Sequence, residues 1–216
     1  FNKIHNHGTW AVAAVGMMGI VMGEKEWVEV ALYGTEKNRT GGFLMQLEQL
    51  FSPDGYYMEG PYYARYAMRP FFFFAEAVER YKPELKIFEY RDQILKKVFY
   101  SAAQIIFPNG VFPPINDASR TMDIRAAGPL IGHNIAYLRY GADPNLLAIA
   151  SIQKEVYPSP AGLAVARDHA EANTEHELRW NSVEFRDGFD GERGGLGILR
   201  AGGGINQSMV LMKYGV

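Results

Sequence analysis

Residues 54–70 read DGYYMEGPYYARYAMRP, and this stretch decides how the helical part of the chain is organised. Gly60 suits the residue before a helix, and Pro61 suits the first helical position, where its missing N–H costs nothing. We therefore predict a helix that begins at Pro61. Its first two turns carry four side chains that can bind a ligand or transfer a proton: Tyr62, Tyr63, Arg65 and Tyr66.

Helical spacing places several of these side chains on one face. Residues three or four apart are neighbours on a helix surface, so Tyr66 lies beside both Tyr62 and Tyr63. The alternative is that the tyrosines belong to the core, since a buried tyrosine with a satisfied hydroxyl is common. Glu59, the two arginines and the Asp-Gly turn at residues 54–55 lie next to the tyrosines, and these polar neighbours favour a catalytic surface. The four phenylalanines at 71–74 are interpreted as core.

Helical periodicity extends on both sides of this stretch, from Thr9 to about Ala172, in blocks separated by glycine and proline. Short connections such as Gly23 imply antiparallel neighbours, and therefore helical hairpins. A nucleotide-binding α/β fold has little support, because βαβ alternation and a glycine-rich phosphate loop are missing from the sequence. We predict helices near residues 9–22, 24–37, 42–51, 61–81, 85–107, 122–140, 143–155 and 160–170.

The pattern changes after about Asn173. Residues 178–185 alternate between apolar and polar, two Asp-Gly turns follow, and residues 194–200 and 208–214 read as strands. We therefore predict a β-rich second domain. About three strands are too few for an independent sandwich, so we expect the chain to end inside this domain. Because the chain also opens without a methionine, we expect that a segment upstream has been lost.

Composition excludes several classes of protein. With 216 residues, 48% of them hydrophobic, the chain is globular and long enough for a sizeable core. A net charge of −2 offers no general attraction to nucleic acid or to acidic membranes. No cysteine is present, which excludes disulfides and thiolate chemistry. Residues 10–22 are apolar but too short to span a bilayer of about 30 Å, so we expect a buried helix there.

Asn6 and His7 precede the first predicted helix. An amide beside an imidazole can bind a carboxylate and, when the imidazole is protonated, neutralise it. The alternative is that the pair only caps the helix. A zinc site is disfavoured, because His5 and His7 are two residues apart and diverge on a helix.

Asn6, His7 and the helix that carries Tyr63 together meet the requirements of β-elimination at a uronate. The reaction removes a proton from the carbon next to a carboxylate and expels the sugar oxygen from the neighbouring carbon. Charge that spreads onto the carboxylate needs hydrogen-bond donors or cations, which Asn6, His7 and Arg65 can supply. A tyrosine can serve as acid or base where a nearby cation lowers its pKa from about 10.

Several motifs in this order resemble the polysaccharide lyases of the heparinase II/III-like superfamily, and most closely the family 17 oligoalginate lyases. The asparagine-histidine and EGPYYxRY elements are fairly specific, whereas the glycine turns are not. The motifs are IHNH at 4–7, FSPDGYY at 51–57, EGPYYARY at 59–66, FPPIND at 112–117, DG at 187–188 and GGL at 194–196.

The resemblance implies a mostly α protein with a β part: an incomplete (α/α) toroid of helical hairpins over residues 1–176, then the start of an antiparallel β-sandwich over residues 177–216. The substrate, an acidic oligosaccharide or polysaccharide, would lie in the cleft between them. The resemblance also implies a bacterial periplasmic or secreted protein. The chemistry needs no cofactor, and nucleic acid and membrane partners are not expected.

The resemblance also implies roles for individual residues. Asn6 and His7 match the pair that binds the uronate carboxylate, and Tyr63 matches the proton donor. Arg65 and Tyr66 match residues of the same cleft, and we expect the adjacent Tyr62 to contact substrate as well. The family's sandwich histidine, second tyrosine and metal site are expected beyond Val216, so no metal ligand is assigned here.

Further candidates are Asn116 and Asp117 in a proline-rich loop, and His133 in an apolar segment. Asn116 is expected to contact substrate, or otherwise to cap a helix. His133 is expected either to contact substrate or to be a satisfied core histidine.

Three alternatives to an alginate-specific lyase stay open. They are a lyase acting on hyaluronan or a heparinoid, a non-catalytic glycan-binding relative, and a toroid glycoside hydrolase. The hydrolase would need paired carboxylates, and the available pairing is Asp54 or Glu59 with Asp117.

Overall fold

The computed structural model describes residues 2–116, 118–141, 143–172 and 180–215. In these ranges a run of helices is followed by a small antiparallel sheet, which confirms the predicted mostly α chain with a β part. The helices are α1 Asn6–Met22, α2 Lys25–Tyr33, α3 Gly42–Gln49, α4 Pro61–Tyr81, α5 Tyr90–Ile105, α6 Ala127–Tyr140, α7 Pro144–Gln153 and α8 Pro160–Glu171. The strands are β1 Val183–Arg186, β2 Gly195–Ala201 and β3 Ser208–Tyr214.

Helix α4 begins at Pro61 and ends at Tyr81, as its sequence predicts. It is the centre of the helical part, because it packs against α1 on one side and α6 on the other. Phe71, Phe72 and Phe74 are fully buried. Glycines on the neighbouring helices make room for these rings: a Cβ at Gly16 of α1 would lie 2.1 Å from the Phe74 ring.

Two predicted helices at the N-terminal side have different ends. Helix α1 begins at Asn6 rather than residue 9, because His5 caps it by accepting a hydrogen bond from the backbone N–H of His7. Helix α2 ends at Tyr33 rather than residue 37, because Gly34 adopts a φ of +89° that a helix cannot continue.

Two further predicted starts are wrong by about five residues. The helix predicted from residue 85 begins at Tyr90, since a separate 3₁₀ turn at Pro83–Leu85 ends at Lys86, which has a left-handed φ of 48°. The helix predicted from residue 122 begins at Ala127, since Asp123 forms an isolated β-bridge with Val111.

Helix α1 is buried on one face only. Val12 and Ala13 are buried, whereas Val21 is 82% exposed and Met18 is 51% exposed. The expectation of a buried helix at residues 10–22 therefore holds for one face of the helix. Within the ranges described, no helix has both the length and the apolar character needed to cross a bilayer.

The sheet has the order β1-β2-β3, with both pairs antiparallel. Phe185, Leu196 and Ile198 cover its inner face and pack on Tyr56 and Ile105 of the helical part. The predicted domain boundary at residue 176 lies outside the residues that the structure describes.

Arg200 of β2 joins the sheet to the C-terminal end of α5. Its guanidinium donates hydrogen bonds to the backbone oxygens of Gln104 and Ile106, at 2.6 and 2.7 Å. The indole of Trp180 lies under the same guanidinium and donates to the backbone oxygen of Ala103 at 3.1 Å. These contacts hold the sheet next to the helix ends.

Candidate active site

The N-terminal ends of α1 and α4 lie side by side. Asn6 of α1 bonds to Glu59, which stands two residues before Pro61, the first residue of α4. The ring of Tyr66 on α4 lies 6.5 Å from the ring of His7 on α1, measured between centroids. The tertiary structure thus brings the two predicted parts of the site together across more than fifty residues of sequence.

Asn6 is only 7% exposed and is held by Glu59 through two hydrogen bonds. Its backbone N–H donates to Glu59 Oε1 at 3.3 Å, and its side-chain Nδ2 donates to Glu59 Oε2 at 2.5 Å. The hydroxyl of Tyr57 also donates to Glu59 Oε1, at 3.5 Å. Burial, with the Glu59 charge beside it, raises the pKa of the Tyr57 phenol, which therefore stays protonated and able to donate.

His7 is exposed and directs its backbone N–H to His5 Nδ1 at 3.1 Å. The two imidazole rings meet edge to face, with centroids 5.6 Å apart. The helix cap is therefore His5, and the interpretation of the Asn6-His7 side chains as a cap is wrong. Among the described residues no group of three or more histidines, cysteines and acids could hold a metal.

The tyrosines of α4 face different surroundings. Tyr66 is 37% exposed and packs on Trp10 of α1, with ring centroids 5.1 Å apart. Tyr63 is partly buried against the main core and meets Tyr62 edge to face at 5.1 Å. The ring contact with His7 is thus made by Tyr66, while the predicted proton donor Tyr63 lies one turn nearer the helix start.

Two arginines of α4 lie against aromatic rings in this region. The Arg65 guanidinium lies 4.7 Å above the ring of Tyr62, and that of Arg69 lies 5.6 Å from Trp10. Arg65 Nε is buried and has no hydrogen-bond partner in the part of the chain that is described. The charge of the Arg65 guanidinium, near the positive end of α4, favours a negatively charged ligand.

Asn116 lies next to Gly60, the residue before α4. Its Nδ2 would be 2.7 Å from a Cβ placed on Gly60, and its Oδ1 accepts a hydrogen bond from Lys213 Nζ at 2.9 Å. It caps no described helix, since the next one begins at Ala127. Its neighbour Asp117 lies outside the described residues. Lys213 of β3 was missed by the sequence analysis, because a contact across 97 residues leaves no local signal.

His133 does not fit the predicted contact with substrate. It is fully buried, its Nε2 hydrogen-bonds the backbone oxygen of Leu146 at 2.6 Å, and its ring stacks on Phe99. Burial lowers the pKa of this imidazole from 6.5 to about 4, so it is neutral at physiological pH. The alternative prediction, that His133 is a core histidine with its hydrogen bonds satisfied, is therefore confirmed, because its ring packs and hydrogen-bonds inside the protein.

Two of the three carboxylates considered for a hydrolase, Asp54 and Glu59, are occupied by protein groups. Asp54 accepts hydrogen bonds from the Ser52 hydroxyl and, at 2.9 Å, from the backbone N–H of Arg186. Glu59 is bonded to Asn6 and Tyr57. A hydrolytic carboxylate must be open to a water molecule or to the sugar, so the contacts of Asp54 and Glu59 argue against that use.

Comparison with known proteins gives a consistent result. The family model described as alginate lyase matches residues 2–110. The chain is 47% identical over 213 residues to an exo-oligoalginate lyase of Saccharophagus degradans, covering 99% of this chain and 28% of that protein. It is 48% identical over 210 residues to an alginate lyase of Stenotrophomonas maltophilia, covering 97% of this chain and 28% of that protein. The chain therefore spans 28% of the length of these curated relatives.

Proposed function

Because this chain belongs to the alginate lyase family, we propose that the complete gene product containing it is a polysaccharide lyase that cleaves alginate oligosaccharides by β-elimination. The observation that carries the proposal is the meeting of two helix N-termini, one bearing Asn6 and His7 and the other bearing the tyrosines and Arg65. The site offers donors and cations for a carboxylate and phenols for proton transfer.

The first task of the site is to neutralise the uronate carboxylate. Removing the proton from the adjacent carbon pushes negative charge onto this group, so donors that face it stabilise the transition state. Asn6 retains a second side-chain N–H beyond the one bonded to Glu59, and His7 presents an exposed imidazole. The positive end of α1 adds to the attraction.

The second task is to transfer protons. A base, which the resemblance places on the family's second tyrosine in the sandwich, takes the proton of the C–H bond. The electron pair left behind forms a double bond to the neighbouring carbon, and the sugar oxygen leaves from that carbon and takes a proton. We assign that donation to Tyr63, following the resemblance, with Tyr66 as the rival because its ring contacts His7. The product is an unsaturated uronate and a shorter saccharide.

We extend the proposal to the whole gene product. Its helices belong to an incomplete (α/α) toroid over residues 1–176, and the sheet from residue 177 begins an antiparallel β-sandwich. Asn116 and Tyr62 contact the substrate in the cleft between the two. The protein acts in the periplasm or outside a bacterial cell and needs no cofactor for the chemistry.

The test uses the complete gene product with oligoalginate, polymannuronate, polyguluronate, hyaluronan and heparin. Near-ultraviolet absorbance measures the unsaturated uronate, and reducing ends measure total cleavage. We expect both signals to rise together, most strongly on oligoalginate. Reducing ends without absorbance would indicate hydrolysis instead of elimination. A preference for hyaluronan or heparin would overturn the alginate assignment. The absence of both signals on every substrate would overturn the proposal that the protein is an enzyme.

A further inference from the structure

Glu59 occupies a position that the proposed chemistry does not use directly. It is partly buried behind Asn6, between the start of α1 and the start of α4. Both of its carboxylate oxygens are engaged, Oε1 by the Asn6 backbone N–H and the Tyr57 hydroxyl, and Oε2 by Asn6 Nδ2. Its contacts therefore converge on the residue proposed to bind the substrate carboxylate.

These contacts determine which end of the Asn6 amide faces which way. A carboxylate only accepts hydrogen bonds, whereas an amide has a donating NH₂ end and an accepting oxygen. Glu59 therefore requires the NH₂ end of Asn6 to face it. If the amide turned over, its oxygen would face the Glu59 carboxylate, and the NH₂ group that should meet the substrate would be displaced.

A glutamine could not make the same set of contacts. The two hydrogen bonds from Asn6 end on different oxygens of Glu59, so both must be acceptors. The amide of a glutamine has one accepting oxygen and would present an NH₂ group to one of the two donors. A carboxylate here also opposes the binding of an anionic substrate through charge repulsion, so its presence is better explained by what it does for Asn6.

We propose that Glu59 is a positioning residue, which holds the Asn6 amide so that its second N–H faces the uronate carboxylate. The inference rests on the proposed function, since it assigns Asn6 the role of carboxylate donor. Glu59 does not touch the substrate, and it acts through Asn6 alone.

The test is a double-mutant cycle in the complete gene product, with Glu59→Gln, Asn6→Ala and the double variant assayed on oligoalginate. A misplaced donor costs turnover more than binding, so Glu59→Gln should lower kcat by about 10-fold or more. KM should not rise, because removing a negative charge favours an anionic substrate. In the Asn6→Ala background the same Glu59→Gln change should leave kcat unchanged.

Two controls separate positioning from structure. Glu84→Gln removes an exposed carboxylate on the Pro83–Leu85 turn and should leave kcat and KM unchanged. Glu59→Ala should lower kcat further than Glu59→Gln, because glutamine can still accept one bond from Asn6. The proposal is overturned if Glu59→Gln keeps full kcat, or if it lowers kcat equally with and without Asn6.

Neutron crystal structures, which locate the hydrogens of the Asn6 amide and so distinguish its nitrogen from its oxygen, supply a measurement that does not depend on activity. The Asn6 amide should keep its direction in the unaltered protein and turn, or occupy two directions, in Glu59→Ala. An amide that stays in place in Glu59→Ala overturns the positioning role, whatever the product assay shows. Absence of unsaturated product from the unaltered gene product would overturn the proposed function, and the amide direction would still decide the role of Glu59.

Discussion

The side-chain nitrogen of Asn6 lies 2.5 Å from Glu59 Oε2, although 53 residues separate them in sequence. This hydrogen bond joins the start of α1 to the segment that leads into α4. It also sets the position of the amide relative to the phenols and arginines of α4. The geometry of the candidate site therefore depends on one carboxylate and on the two helix starts that it connects.

The first prediction concerns Asn6 and His7, the pair that we propose to bind the substrate carboxylate. In the complete gene product, Asn6→Ala or His7→Ala should lower kcat on oligoalginate by roughly 10²-fold or more, the usual loss for one preorganised donor. His7 is exposed, so His7→Ala should leave the melting temperature unchanged. Product absorbance and thermal melting check both statements. Near-normal turnover by either variant on every uronate polymer would remove that residue from the pair.

The second prediction compares the three phenols in the first two turns of α4. Tyr63→Phe keeps the ring and removes the proton, so kcat should fall by about 10²-fold or more while stability changes by about 1 kcal/mol. Tyr62→Phe should be much milder. Tyr66→Phe is the deciding comparison, because Tyr66 contacts the His7 ring. A slow Tyr66→Phe beside a normal Tyr63→Phe would transfer the donor role to Tyr66.

The third prediction concerns the close approach of α6 to α4. A Cβ at Gly128 would lie 1.8 Å from the backbone oxygen of Arg65, so Gly128→Ala must push the helices apart. We expect a loss of about 1–3 kcal/mol in the free energy of unfolding, as is usual for overpacking. Turnover should fall too, because Arg65 moves. Gly203→Ala is the matched control, since nothing lies within 4 Å of its Cβ; equal stability of the two variants would contradict the prediction.

The fourth prediction is a pH dependence that comes from His133. Burial lowers its pKa in the folded protein to about 4, below its ordinary value of 6.5. The unfolded chain therefore binds this proton more readily, and stability falls as the pH drops from about 6.5 toward 4.

Denaturant unfolding at a series of pH values measures this effect, which can reach about 3 kcal/mol. His133→Gln cannot titrate and should flatten the stability profile over this range, even if it lowers stability overall. His169→Gln, at a partly exposed histidine, should leave the profile as it is. An unchanged slope in His133→Gln would show that other groups cause the acid sensitivity.

Much of the helical framework could be predicted because its signals are local. Gly60 and Pro61 mark the start of α4 by their own backbone preferences, and the phenylalanines from residue 71 mark its core side by their spacing. Helix ends were predicted less well where a distant contact intervenes. The start of α6 is an example, because the β-bridge between Val111 and Asp123 keeps the preceding residues out of the helix.

The candidate site, like the helices, could be predicted from the sequence only in part. Asn6, His7 and the tyrosines could be proposed from residue type and motif, whereas the hydrogen bonds from Asn6 to Glu59 and from Lys213 to Asn116 could not. His133 shows the opposite case, since an apolar sequence pattern left both of its roles open and burial decided between them.

The sequence by itself determined the run of helices, the change to strands after residue 173, and the set of side chains that we propose to bind a uronate and to cleave the bond beside it. Turn residues and hydrophobic periods act over a few residues, so these properties can be recognised one segment at a time. Only the tertiary structure decided that both oxygens of Glu59 accept hydrogen bonds from within the protein, and that the ring of Tyr66 contacts the ring of His7. Those outcomes depend on how α1 and α4 pack, which brings together groups that are distant in the chain.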